Sequence, residues 1–231
     1  MQTNWPRAVI FDLDGTLVDS APDIAAAVNA GFGPLGLAPF HVEQVVGMIG
    51  GGAAVAVRRA VKAAGLVLAA EDEAAVLRRF LETYARVSAD GRGLYPGAHE
   101  LLGALRGEGR GMALCTNKAE HITHITIEAL GIAGYFASVV AARDDVPKKP
   151  DPAMVLRALA PFGVKPADAV MIGDSHADIE AARAAGVSSI AVTYGYSSTP
   201  ARELGANHVI DSLAEAQGAL AALRGRLRDA R

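Results

Sequence analysis

Cysteine is almost absent from this 231-residue chain, Cys115 being the only one. That excludes an intrachain disulfide and points to a reducing compartment. Its neighbours Ala113 and Leu114 place it in a strand core, and with no histidine nearby in sequence a nucleophilic thiol is the weaker assignment. An excess of one charge is missing too: 22 Lys and Arg stand against 25 Asp and Glu, a formal net charge of −3. Neither sign forms a block, so there is no stripe for nucleic acid and no polybasic patch for a membrane. Arg224, Arg226, Arg228 and Arg231 read as solvating the end of a last helix, where cations suit the helix dipole. No uncharged apolar run is long enough to span a bilayer. Asn4-Trp5-Pro6-Arg7 leads directly into an apolar run, leaving no room for a signal peptide, so a cytoplasmic location is expected. Two glycine signatures are lacking as well. No Gly-x-Gly-x-x-Gly follows the first strand, which argues against a dinucleotide-binding module, and Gly50-Gly51-Gly52 has neither a preceding strand nor the Lys-Ser or Lys-Thr of a phosphate-cradling loop.

What is present is apolar content of 51%, enough to bury a substantial core in one domain with an insertion or in two compact domains. From Ala21 to about Arg86 the texture is helical: Ile24 to Ala30, Ala53 to Ala64 and Glu71 to Arg86 carry apolar residues at three and four spacing. Ser20 offers a cap and Pro22 suits a first turn. Gly31-Phe32-Gly33-Pro34 and the triple glycine act as breakers. After Gly93-Leu94-Tyr95-Pro96-Gly97 strands and helices alternate, with strands at Met112 to Cys115, Ser138 to Ala141, Ala169 to Ile172, Ser189 to Val192 and His208 to Ile210. Helices follow at His99 to Arg106, Glu120 to Leu130, Pro152 to Phe162, Ala177 to Ala185 and from Leu213. Alternation of this kind predicts a parallel sheet covered on both faces. The first strand, Ala8 to Phe11, belongs with that set. The expected architecture is therefore α/β: a doubly wound parallel-sheet, Rossmann-like core (1–18 and 91–231) with an inserted α-helical cap (19–90) over the carboxyl edge of the sheet.

Chemistry concentrates at predicted strand ends. Asp12 and Asp14, in Phe11-Asp12-Leu13-Asp14-Gly15-Thr16, follow the first strand where open parallel sheets bind ligands. A carboxylate that attacks phosphorus forms an acyl phosphate, and a second one nearby can protonate the leaving alcohol and then deprotonate water. Two such charges repel unless a cation intervenes, a role that magnesium fills. Gly15 and Thr16 turn the backbone and offer amide donors to an anion. The alternative is a solvated turn, since Asp and Gly are ordinary turn residues.

Three further clusters weigh against the bland reading. Thr116 and Asn117 bring a hydroxyl and an amide suited to phosphate oxygens, although Asn117 also has capping-box spacing to Glu120. In Lys148-Lys149-Pro150-Asp151-Pro152 the prolines fix a positive charge more sharply than a solvated basic loop requires. Asp174, after Val170-Met171-Ile172-Gly173, is placed as a hard oxygen ligand for magnesium. Asp178, one turn on, could orient it or the lysine, while an N-cap role for Asp174 or Ser175 stays open. His121 and His124 have the spacing of a metal pair but lack a third ligand, and His176 belongs to a helix surface or a pocket mouth. Arg58, Arg59 and Lys62 are candidates for gripping a substrate carboxylate, against the simpler assignment of exposed cap charges.

Taken together, Asp12, Asp14 and Thr16, then Thr116, then Lys149 before Pro150, then Asp174 with Asp178, resemble the four motifs of the haloacid dehalogenase superfamily, in order and from first strand to last helix. The stretches Asp12 to Pro22, Tyr95-Pro96-Gly97, Cys115 to Lys118, Asp144 to Pro152 and Gly173 to Asp178 look most like its helical-cap phosphatases of the phosphoglycolate type. The resemblance implies Asp12 as nucleophile and Asp14 as acid and base. It also implies Thr116 and Lys149 as charge stabilisers, and Mg2+ held by the Asp12 side chain, the Asp14 carbonyl and Asp174, with Asp178 behind them. Thr16, Asn117 and Arg58 are the expected substrate contacts. The implied reaction converts a small phosphomonoester, 2-phosphoglycolate, to glycolate and phosphate, with no nucleic acid or membrane partner. A sugar-phosphate phosphatase or phosphomutase of the same superfamily is the nearest alternative. A dehalogenase has no use for Asp14 or a metal, and a non-catalytic nucleotide-binding module has no use for all four clusters.

Overall fold

The computed structural model describes residues 5–143 and 145–229, with side chains through 225. Asp144, Arg231 and the side chains of Arg226 and Arg228 lie outside the described residues. Strands β1 (Ala8–Phe11), β2 (Gly111–Ala119), β3 (Ser138–Ala142), β4 (Ala169–Gly173), β5 (Ser188–Val192) and β6 (His208–Ile210) pair in the order β3-β2-β1-β4-β5-β6. Every pairing is parallel. β1 is wholly buried, as expected of a strand covered on both faces.

Side chains alternate across the sheet. Val9, Phe11, Met112, Leu114, Val170 and Ile172 share one core with helices α5 (Ala98–Gly107) and α9 (Ala216–Asp229). Ala8, Ile10, Ala113, Cys115, Ala169 and Met171 face the other way, onto α7 (Ala153–Leu159) and α8 (His176–Ala184). Between β2 and β3 runs α6 (Glu120–Ala129).

Helices α1 (Ala21–Phe32), α2 (Val42–Val46), α3 (Ala53–Ala63) and α4 (Ala70–Ser88) form the cap around Ile24, Val28, Phe32, Val57, Val76 and Phe80. Ile122 of α6 joins this cluster, so the cap is seated on the core through apolar contact. Among the described residues no helix is long and apolar enough to cross a membrane.

Several local expectations are corrected. α1 runs through Gly31 instead of breaking there, because Arg79 of α4 donates to the Gly31 carbonyl at 3.1 Å and Val76 packs against the glycine. The Ser20 hydroxyl makes no cap bond, although Pro22 does occupy the first turn. The helix expected to continue to Phe162 tightens into a 3₁₀ turn at Ala160–Phe162, where Pro161 has no N–H to give. α2 was not legible at all: it is 5 residues long, and its start is fixed by the Gln44 side chain accepting from the His41 N–H at 2.8 Å.

Candidate active site

β2, β1 and β4 are neighbours at the centre of the sheet, and the chain leaves β1 for one side and later returns to the other. Side chains at the carboxyl ends of these three strands therefore meet at the switch point. Asp12 leaves β1 with its N–H bonded to the Ile172 carbonyl of β4 at 2.9 Å. Thr116 is in β2, and Asp174 follows β4 directly.

Lys149 comes from the turn before α7 and reaches into this group. Its Nζ donates to Asp12 Oδ1 at 2.8 Å, Asp178 Oδ1 at 2.6 Å and the Cys115 carbonyl at 2.5 Å. All three ammonium donors have a partner, and the residue is buried. Burial pulls its proton affinity down, but the charges of Asp12 and Asp178 outweigh that and hold it above the usual lysine range. Asp178 in turn accepts the Ser175 N–H at 3.0 Å and hydroxyl at 2.6 Å on its other oxygen. Asp178 thus orients the lysine and caps α8 at once.

Oxygens of Asp12, Asp174 and Asp178 lie within 4.8 Å of one another, the one grouping of metal-holding spacing among the described residues. Burial pushes the Asp12 carboxyl up to about 7, with Lys149 opposing and Asp178 and Asp14 adding to the rise. Asp174 is raised as well, by burial first and then by Asp178 and Asp12. Its Oδ2 accepts the Tyr196 N–H at 2.7 Å. Gly15, at φ +83°, passes so close that a Cβ there would sit 2.6 Å from Asp174 Oδ2; only glycine fits both the turn and the gap.

Asp14 faces the cap. Its Oδ1 accepts from Lys118 Nζ at 3.0 Å and from the Tyr84 hydroxyl of α4 at 3.3 Å. Lys118 also contacts the Tyr84 hydroxyl, and its Nζ lies 3.9 Å from the centre of that ring. Burial, and the Asp14 charge after it, hold the Tyr84 hydroxyl protonated and hence a donor.

A cavity of about 530 Å³ lies between cap and core, lined by Asp12, Asp14, Thr116, Asn117, Lys149, Asp174 and Asp178 from the core and by Gly50, Gly51, Gly52, Arg59 and Tyr84 from the cap. Gly52 (φ +91°) brings the cap so near that a Cβ would stand 2.9 Å from the Asn117 carbonyl oxygen. The exposed His176 also borders the cavity. His121 and His124 are exposed on α6 and belong to no such grouping.

Of the three expected substrate contacts, Asn117 lines the cavity, while Thr16 and Arg58 do not. Thr16 is fully buried, borders no part of the cavity and leaves its hydroxyl without a partner. The Gly15 and Thr16 amides are likewise committed inside the turn, to Val18 and Leu13 carbonyls. The Asn117 side chain brackets the Lys149 backbone, accepting its N–H at 3.0 Å and donating to its carbonyl at 2.9 Å. It does not cap α6, because β2 continues to Ala119. Arg58 is exposed and off the cavity, whereas Arg59 borders it. Ala53, Ala56 and Arg59 all line the wall, a spacing of three that puts them on one helix face; that periodicity is the signal that separates the two arginines. Lys118 lies within the Cys115 to Lys118 stretch, which assigns it no role, and Tyr84 and Tyr196 carry no motif that would have singled them out.

Burial pushes the Cys115 thiol up to about 12. We expect native protein at pH 8 to resist an aromatic disulfide reagent over hours and to react within minutes in denaturant; prompt native labelling would contradict the burial.

Residues 9–192 match the haloacid dehalogenase-like hydrolase family model. The chain is 44% identical over 213 residues to the phosphoglycolate phosphatase of Rhodospirillum rubrum, covering 90% of this chain and 88% of that protein. Among solved structures, a predicted phosphoglycolate phosphatase from Haemophilus somnus superposes with a TM-score of 0.88 at 30% identity, covering 94% of this chain and 99% of that one. The CbbY protein of Rhodobacter sphaeroides, in complex with xylulose-(1,5)bisphosphate, superposes with a TM-score of 0.76 at 26% identity, covering 90% and 95%. The chain belongs to the haloacid dehalogenase-like hydrolases and is a phosphoric monoester hydrolase of that family.

Proposed function

We propose that this chain is a magnesium-dependent phosphatase that hydrolyses 2-phosphoglycolate through an aspartyl-phosphate on Asp12. The observation that carries the reading is the Lys149 ammonium bridging Asp12 and Asp178 beside Asp174. It orients a nucleophile next to a carboxylate cluster that needs a cation. The donor set fits magnesium, a hard ion that takes oxygen ligands: burial and the neighbouring aspartates raise the proton affinity of Asp12 and Asp174, and the Lys149 ammonium beside Asp12 does not offset this. Asp12, Asp174 and the Asp14 carbonyl would hold the ion, which supplies neutralisation of phosphoryl charge when bound.

The residues do the rest. An Asp12 oxygen attacks phosphorus in line as the bond from phosphorus to the alcohol oxygen breaks, and the proton on Asp14 passes to that oxygen. Thr116 and Lys149 hold the equatorial oxygens in the transition state. Water then attacks phosphorus and gives a proton to Asp14; the bond to Asp12 breaks, and inorganic phosphate leaves with both aspartates restored.

The two phosphoglycolate phosphatases named above support glycolate as the alcohol, and so does the charge arrangement. Of the cationic side chains lining the cavity, Lys149 and Lys118 are paired with carboxylates, while among the described residues Arg59 is held by neutral carbonyls: its Nη1 donates to Met48, Ile49 and Gly50 at 3.2, 2.6 and 3.3 Å. Its charge is available to a substrate carboxylate. The test compares kcat/KM across 2-phosphoglycolate, 2-hydroxyethyl phosphate and a panel of sugar phosphates, for the wild type and Arg59→Met. We expect phosphoglycolate to lead, and the variant to lose roughly 30-fold or more on it through KM. A preference for a sugar phosphate would leave the phosphatase class and remove the substrate.

A further inference from the structure

The mechanism uses Asp14 but leaves unexplained what holds it. We propose that Tyr84 and Lys118 are positioning residues that clamp one oxygen of Asp14, so that seating of the cap sets the aim of its other oxygen at the leaving group. The inference rests on the reading of Asp14 as acid and base.

The geometry is one-sided. Both donors converge on Oδ1, and among the described residues Oδ2 has no partner. A carboxyl group held by two donors on one oxygen cannot rotate freely about its Cβ–Cγ bond, so the free oxygen keeps one direction. Asp14 lines the cavity and its side chain retains 15% exposure, which leaves room for a substrate oxygen.

The two donors have different origins. Lys118 belongs to the core, directly after Thr116 and Asn117 in β2, and its side chain is 1% exposed. Tyr84 belongs to the cap: it is in α4, its ring packs edge-on to Phe80 at 5.5 Å, and both are buried in the cap's own apolar cluster. The hydroxyl therefore reaches Asp14 only where α4 is seated. A cation alone would hold Asp14 whatever the cap does; the cap-borne hydroxyl makes the hold depend on closure. With the cap unseated, Asp14 would keep only its bond from Lys118, so its aim would slacken in an open, wet site, where proton transfer to water would be wasted.

Tyr84→Phe tests this, since it keeps the ring and its packing and removes only the hydroxyl. The readout is kcat/KM on two substrates of the same enzyme: 2-phosphoglycolate, whose alkoxide needs a proton to leave, and p-nitrophenyl phosphate, whose phenolate does not. The clamp predicts a loss of roughly tenfold or more on the first and a clearly smaller one on the second. Lys118→Met should show the same split. Equal losses on both substrates, or none on either, would overturn the inference, because a packing or folding defect does not sense the leaving group. Asp14→Asn separates this outcome from failure of the underlying mechanism. If Asp14→Asn splits the two substrates and Tyr84→Phe does not, only the clamp is wrong; if Asp14→Asn does not split them, the acid assignment itself falls. Thermal melting of each variant shows whether it is folded.

Discussion

Asp12→Asn will lose roughly 10⁵-fold or more in turnover of any phosphomonoester and will keep its fold. Asparagine is nearly isosteric with aspartate, and its side-chain carbonyl can still accept from Lys149 Nζ, which now stands 2.8 Å from Asp12 Oδ1. What the amide lacks is the nucleophilic oxygen, and an acyl phosphate cannot form on it in a productive cycle. Retained turnover in quenched-flow or steady-state assays, with a normal melting curve, would reject Asp12 as nucleophile.

The same variant carries a second expected result, of opposite sign. Asp12 rises from 3.8 to about 7 on folding, burial being the first cause. Between those two values the folded protein therefore binds more protons than the unfolded chain, so stability falls as pH rises through that window. Metal-free wild type should show this decline in melting temperature from about pH 4 to pH 7. Asp12→Asn should flatten it in part, the remainder belonging to Asp174, which is also raised. Added magnesium should raise the wild-type melting temperature more at pH 8 than at pH 5, because the ion binds ionised carboxylates. A magnesium effect independent of pH would argue that the ion sits elsewhere.

How far the sequence carried the site follows from where each residue stands. Asp12 and Asp174 were legible because each directly follows an apolar strand, and strand ends share one edge whatever the strand order. Lys149 was legible because prolines flank its turn. The order β3-β2-β1-β4-β5-β6 places β2 and β4 on either side of β1, and so converts three strand ends into one cluster. Thr16 misled because a turn motif does not say which way its side chain points; in the fold it faces inward, beneath the Tyr194 hydroxyl that donates to its carbonyl at 2.9 Å. Tyr84 and Tyr196 were silent for a different reason. Tyr84 sits on an ordinary amphipathic helix and Tyr196 in a loop after β5, and each touches the site only through tertiary packing. Nothing local distinguishes a helix tyrosine that meets Asp14 from one that meets the core.

Lys149→Met should produce the other large effect, and it should appear in stability as well as in rate. Removing the ammonium leaves Asp12 and Asp178 buried with no cation, and breaking a buried pair from one side costs about 3–5 kcal/mol. Against a domain stability of about 5–15 kcal/mol that is a major fraction. Urea unfolding should show a lower midpoint with an unchanged slope. The rate should fall roughly 10²- to 10³-fold, the usual loss when one fixed donor to a developing charge is removed. Lys149→Met combined with Asp178→Asn separates the two effects. The amide keeps a carbonyl acceptor for the Ser175 hydroxyl and carries no charge, so part of the lost stability should return, because one of the two orphaned charges is gone. Activity should not return, since nothing replaces the cation beside Asp12. Lys149→Arg will not substitute either, because a planar fork cannot reproduce three bonds that converge on one tetrahedral nitrogen. If the double variant regained turnover along with stability, Lys149 would be a structural strut, and the charge beside the nucleophile would have to come from elsewhere.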